Sequence, residues 1–140
     1  MHTEHLQNVR PSWVLFGWLV AVAVVSLFGL VLAAAGFADP DESAIGLWGV
    51  FALAAGFFAG GLVTGARVGL APILHGVAIG VVSLLVWFVV NVAFGEALDA
   101  TTWNDGTPAF YAGALILQMA AAATGARIGS RQQRAMTTGS

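Results

Sequence analysis

The chain has 140 residues, 59% hydrophobic and only 9% charged, with a formal net charge of −2. Soluble domains are about half apolar and a quarter charged, so this chain cannot coat itself with polar surface in water. It contains no cysteine and no lysine, which excludes disulfides, thiolate metal centres, thiol nucleophiles and Schiff-base chemistry.

The N-terminal residues 1–12 form a polar tail ending in Arg10 and Pro11. An uncharged run follows at 13–36. It exceeds the roughly 7–15 apolar residues of a signal-peptide core, so it is predicted to be a span despite the small residues of "LAAAGFADP". Its loop carries Asp39, Asp41 and Glu42. Asp39 and Glu42 stand at capping-box positions, which predicts a second helix starting near residue 40.

The second uncharged run covers 45–66. Gly56, Gly60, Gly61, Gly65 and Gly69 recur along it, a small-xxx-small pattern that lets membrane helices pack closely. Thr64 and Arg67 lie at its end. The third run, 72–95, opens on Pro72 and carries His75 in its first turn, then Gly76, Gly80, Ser83 and Asn91. A second acidic loop holds Glu96, Asp99 and Asp105. Thr107-Pro108 reads as N-cap and first helical residue of the fourth run, 108–126, which contains Gln118. Residues 130–140 read as a loose polar tail. Each run is about as long as a helix crossing a ~30 Å hydrocarbon core. Backbone groups find no water there, so helices are expected.

All five arginines flank one side of these spans: Arg10, Arg67, Arg127, Arg131 and Arg134. Six of the seven acids flank the other, Glu4 being the exception. Positive-inside bias therefore predicts a multi-pass protein of a bacterial-type plasma (inner) membrane with both termini cytoplasmic. Trp13 is expected at the inner interface, and Trp48, Trp103 and Tyr111 at the outer one.

"TGARVG" at 64–69 returns as "TGARIG" at 124–129. An offset of sixty also pairs Val22 with Val82, Phe28 with Phe88, Asp39 with Asp99 and Gly46 with Gly106. The expected fold is an all-α membrane protein whose four transmembrane helices form two pseudo-repeated hairpins, a parallel repeat. Convergence of an Ala/Gly/Val-rich chain on a useful helix end is the alternative. In each copy the threonine can bond back one turn, and the arginine can reach the headgroups. Gly69 and Gly129 suit a helix stop.

Helix packing is assigned to Gly56, Gly60, Gly61, Gly65, Gly125 and Gly129, with spans two and four crossing near their cytoplasmic ends. The same stripes could serve a homo-oligomer. Ser26, Ser83 and Gln118 fall near the midplane and form a candidate polar layer, either a hydrogen-bond cluster or a solute site. Arg67 and Arg127, with His75, Thr64 and Thr124 as further donors, form a candidate contact for an anionic lipid headgroup. Plain positive-inside anchoring is the simpler role. No acid lies inside a span, which argues against a proton-coupled exporter. No catalytic, cofactor, metal or nucleic-acid site is expected.

Residues 57–86, "FFAGGLVTGARVGLAPILHGVAIGVVSLLV", place Gly60-Gly61, Gly65 and Arg67 before His75-Gly76 and Gly80. This stretch resembles small uncharacterised bacterial four-span membrane proteins of the YrzE type, with Arg67 one residue later than in their pattern. The resemblance implies a compact four-helix membrane domain and no particular activity. The functional expectation is a non-enzymatic scaffold or accessory subunit in the bilayer, self-associating or bound to a membrane-protein partner. An oligomeric channel or uncoupled transporter for a small solute is the alternative.

Overall fold

Proline fixes where three of the four helices begin. The computed structural model describes residues 8–36, 42–94 and 108–138, without the side chains of 42–45 and 108. It comprises α1 (Pro11–Ala34), α2 (Glu42–Val68), α3 (Pro72–Phe94) and α4 (Pro108–Thr138). A first-turn proline loses nothing, because its missing N–H would have no intrahelical partner there. All four helices are long and apolar enough to cross a membrane. Their outer faces carry exposed leucine, valine and phenylalanine, such as Leu30, Leu85 and Phe88. Among the described residues all regular structure is helical, and the four apolar helices are those of a multi-pass membrane protein.

The helix ends separate the two copies of the repeated hexapeptide. Gly69 has φ +65 and its N–H bonds the Gly65 carbonyl at 3.1 Å, so α2 stops at Val68 as expected. Gly129 does not stop α4. The helix continues to Thr138, which corrects the expectation of a loose tail from Ser130. Nothing between 130 and 138 is glycine or proline, so no residue there opposes helix. The side chains of Ser130, Thr137 and Thr138 bond back to carbonyls within the same helix. The expected caps at Asp39 and Thr107, both acidic loops apart from Glu42, and Trp103 lie outside the described residues.

The tightest packing joins α2 to α4. A Cβ built on Gly61 would strike the Ala122 carbonyl oxygen, and one on Gly65 the Ala126 oxygen. From the other side, Gly125 faces the Phe58 carbonyl and Gly129 the Leu62 carbonyl. The partner numbers rise together, so these two helices run in the same direction. Backbones this close gain dispersion contact along the whole seam, the main attraction between helices in lipid.

On α2, α1 lies antiparallel. Gly60 faces the Gly17 carbonyl, and Gly56 faces Val25 and the Ala21 carbonyl. Against α4, α3 lies antiparallel, with Gly76 on the Ala123 backbone and Gly80 on Met119. Val14, Ala21, Phe57, Ile79 and Ala122 form the buried core where the helices meet.

This density belongs to one end, the end where Arg10, Arg67 and Arg127 lie. Toward the other end, a Cβ at Gly29, Gly46, Gly49 or Gly113 would meet nothing within 4 Å. There α2 and α4 diverge around a groove of about 450 Å³ bounded by Gly46, Gly49, Phe110 and Gly113. The bundle is closed at the arginine end and open at the loop end.

Substitutions should report this asymmetry. Gly65→Ala or Gly125→Ala should lower stability by about 1–3 kcal/mol, because a backbone carbonyl occupies the space. Gly113→Ala should be neutral or add about 0.5–1 kcal/mol from helix propensity. Thermal unfolding in detergent micelles distinguishes them, and equal effects at Gly65 and Gly113 would refute the seam.

Candidate functional site

Among the largest fully buried side chains are two polar ones, His75 and Thr64, beside Ile79. Both sit at the arginine end, where His75 completes the Arg10 N–H that the start of α1 leaves open and Thr64 donates to helix carbonyls. The turn between α2 and α3 prepares the first. Ala71 has φ +45, an unusual left-handed conformation for a non-glycine residue, just before Pro72. Its carbonyl accepts the His75 backbone N–H at 3.2 Å and lies 2.9 Å from the ring Nδ1. The Arg10 backbone N–H then donates to His75 Nε2 at 3.0 Å. With Nε2 accepting, Nδ1 must carry the proton, so the geometry defines a neutral ring with both nitrogens engaged.

Thr64 works between α2 and α1. Its hydroxyl lies 2.9 Å from the Gly60 carbonyl and 3.2 Å from the Trp13 carbonyl, and its single hydrogen is shared between them. Gly17 makes this possible, since a Cβ there would collide with the Thr64 oxygen. The first turn of α1 is thus tied to α2 by Thr64 and to α3 by His75. Thr124, the repeat counterpart of Thr64, bonds only back to Ala120 at 2.7 Å and is exposed.

The five residues of the candidate headgroup contact therefore separate. His75 and Thr64 face inward and engage protein groups. Arg67, Arg127 and Thr124 are exposed. Arg67 follows the seam glycine Gly65 by two residues, about 200° around the helix. Arg127 stands two residues beyond Gly125, likewise turned away from the seam. Beyond them, Arg134 Nη2 approaches the Gly69 carbonyl at 3.5 Å, and the Gln133 side chain covers Gly69. Helix-forming residues without a breaker were the available signal for this extension.

Of the midplane residues, Ser83 meets each of the other two across a cavity. With Gln118, Trp87 and Tyr111 it lines a space of about 240 Å³ between α3 and α4. With Ser26, Trp18 and Phe57 it lines a second space of about 280 Å³ among α1, α2 and α3. Two buried polar atoms in this region, Trp18 Nε1 and Gln118 Oε1, have no hydrogen-bond partner. Sequence reasoning passed over Trp18, because nothing in its spacing distinguishes an interior indole from a lipid-facing one.

Among the described residues no three His, Asp or Glu side chains converge as a metal site would require. No protein-family model matches this chain, and neither does any curated protein or solved structure.

Thr64→Val should lower stability by about 1 kcal/mol, whereas Thr124→Val should change it by less than about 0.5 kcal/mol. His75→Ala should be the most damaging of the three, at about 2–4 kcal/mol, from a cavity and two lost bonds. Nitrogen-15 NMR of the labelled imidazole should show the Nδ1–H tautomer for His75. An Nε2–H signal would contradict the described hydrogen bonding.

Proposed function

We propose that this protein is a non-enzymatic scaffold or accessory subunit of a bacterial-type plasma membrane, built to hold a rigid helical platform in the bilayer. One observation carries this reading. The glycines at the arginine end are engaged within the chain, while the groove between α2 and α4 at the loop end leaves Gly46, Gly49 and Gly113 uncovered. Small-residue surfaces of that kind admit a further transmembrane helix, from a second copy or another membrane protein. The packed floor of Gly17, Phe57, Thr64, Ile79 and Ala122 favours a platform over a conduit for solute.

In this reading the arginine end faces the cytoplasm, in keeping with positive-inside bias. Exposed Arg67 and Arg127 contact anionic headgroups separately, each from its own helix face. Two hairpins of equal hand arose by duplication. The antiparallel pairs α1–α2 and α3–α4 and the co-directional seam support that origin, as does the repeated hexapeptide. The resemblance to YrzE-type proteins points to the same four-helix platform.

Native mass spectrometry after gentle solubilisation should find the chain in a homo-oligomer or heteromer. Gly49→Leu or Gly113→Leu should deplete that assembly without lowering the melting temperature. A wild-type chain that is monomeric and partner-free would overturn the scaffold reading. For orientation, a C-terminal green fluorescent protein fusion should fluoresce and an alkaline phosphatase fusion at the same place should be inactive.

A further inference from the structure

We propose that the cavity between α3 and α4 is a binding site for a neutral aromatic molecule carrying a hydroxyl group, formed by Ser83, Trp87, Tyr111 and Gln118. This goes beyond the scaffold reading and does not depend on it.

Size comes first. The cavity measures about 240 Å³. An apolar cavity of ~150 Å³ accommodates benzene, so this one has room for a fused pair of rings. Among the described residues its walls are apolar apart from the polar groups of Ser83, Trp87, Tyr111 and Gln118. The Trp87 and Tyr111 rings stand 5.7 Å apart with planes 42° from parallel, and give a third ring the tilted neighbours that aromatic packing favours. At the rim, Leu84 and Trp87 are exposed on the side of the bundle, so entry is lateral, from the acyl chains.

The polar groups select the functional group. Gln118 lines the cavity, and its Oε1 is buried without a partner. A buried polar atom left unpaired is uncommon in folded proteins and marks a place where something else completes the bond. Binding would turn the carboxamide about its last torsion so that this oxygen meets the ligand. A carboxamide oxygen only accepts, while its nitrogen and the Ser83 hydroxyl can donate. A single ligand hydroxyl answers both needs, donating to Gln118 and accepting from Ser83. Among the described residues no Arg, Lys, Asp or Glu lines the cavity, so an ionised ligand would lose its hydration without gaining a counter-charge from them.

The neighbouring space extends the specificity. It shares Ser83 and Trp87 with the first and contains Trp18, whose buried Nε1 also lacks a partner. An indole N–H only donates, so a ligand substituent reaching this space should present an acceptor.

The test uses the full chain in lipid nanodiscs, titrated with 2-naphthol and with naphthalene by calorimetry, empty nanodiscs being subtracted. Wild type should bind 2-naphthol saturably and about tenfold or more tightly than naphthalene. Gln118→Leu should erase that preference, and Ala112→Phe, which fills the cavity, should weaken both ligands. Should Gln118→Leu fail to fold, Ser83→Ala gives the same readout with a smaller change. Uptake of 2-naphthol no greater than by empty nanodiscs overturns the proposal, as when water alone completes Gln118. A preference that survives both polar substitutions overturns it too. Monomeric behaviour in native mass spectrometry would remove the scaffold reading and leave this result standing.

Discussion

Everything in this bundle depends on how closely the backbone of α2 can approach that of α4. In water, hydrophobic burial would drive two such helices together. In lipid the surroundings are as apolar as the helices, and that drive is absent. What remains is close contact and hydrogen bonding. Gly61 and Gly65 admit the carbonyls of Ala122 and Ala126, while Gly125 and Gly129 admit those of Phe58 and Leu62. The seam is reciprocal, each helix giving way to the other's main chain. The two remaining helices are fastened to this pair, α1 to α2 and α3 to α4.

Hydrogen bonds then hold what shape alone would leave free to slide. A glycine contact has little preference for register, because a small surface fits several others. The bonds from Thr64 to Trp13 and from Arg10 to His75 do have one. They join side chains to specific main-chain atoms at the start of α1: the Trp13 carbonyl accepts from Thr64, and the Arg10 N–H, a donor the helix leaves open, gives to His75. The left-handed Ala71 belongs to this arrangement, since its carbonyl meets the imidazole that receives Arg10. Strain of this kind persists where surrounding contacts determine the backbone.

Composition and span length were enough to read the four membrane helices, because the thickness of the bilayer imposes both. The roles of Gly69 and Gly129 were only half legible. A glycine followed by Leu-Ala-Pro ends a helix, and that signal lay in the sequence. A glycine followed by Ser-Arg-Gln-Gln does not, and the repeat obscured the difference. Thr64 and Thr124 show the same limit. Both can bond back one turn, but only the neighbour across the interface decides which is buried, and Gly17 is far from Thr64 in the chain. The midplane serines and Gln118 were visible as polar letters in an apolar run. That they border cavities instead of bonding one another follows from helix divergence at the loop end, which no local pattern encodes.

The unequal fate of the two hexapeptides bears on how such a sequence changes over generations. An alanine is disfavoured at both Gly69 and Gly129, but for unrelated reasons: torsion at the first, volume at the second. Asparagine, which tolerates the left-handed region, is a permissible descendant at the first position and not at the second. Identical letters can therefore be kept in two places by independent pressures, each blind to the other. The same letter thus meets two separate mechanical requirements, one of torsion and one of volume.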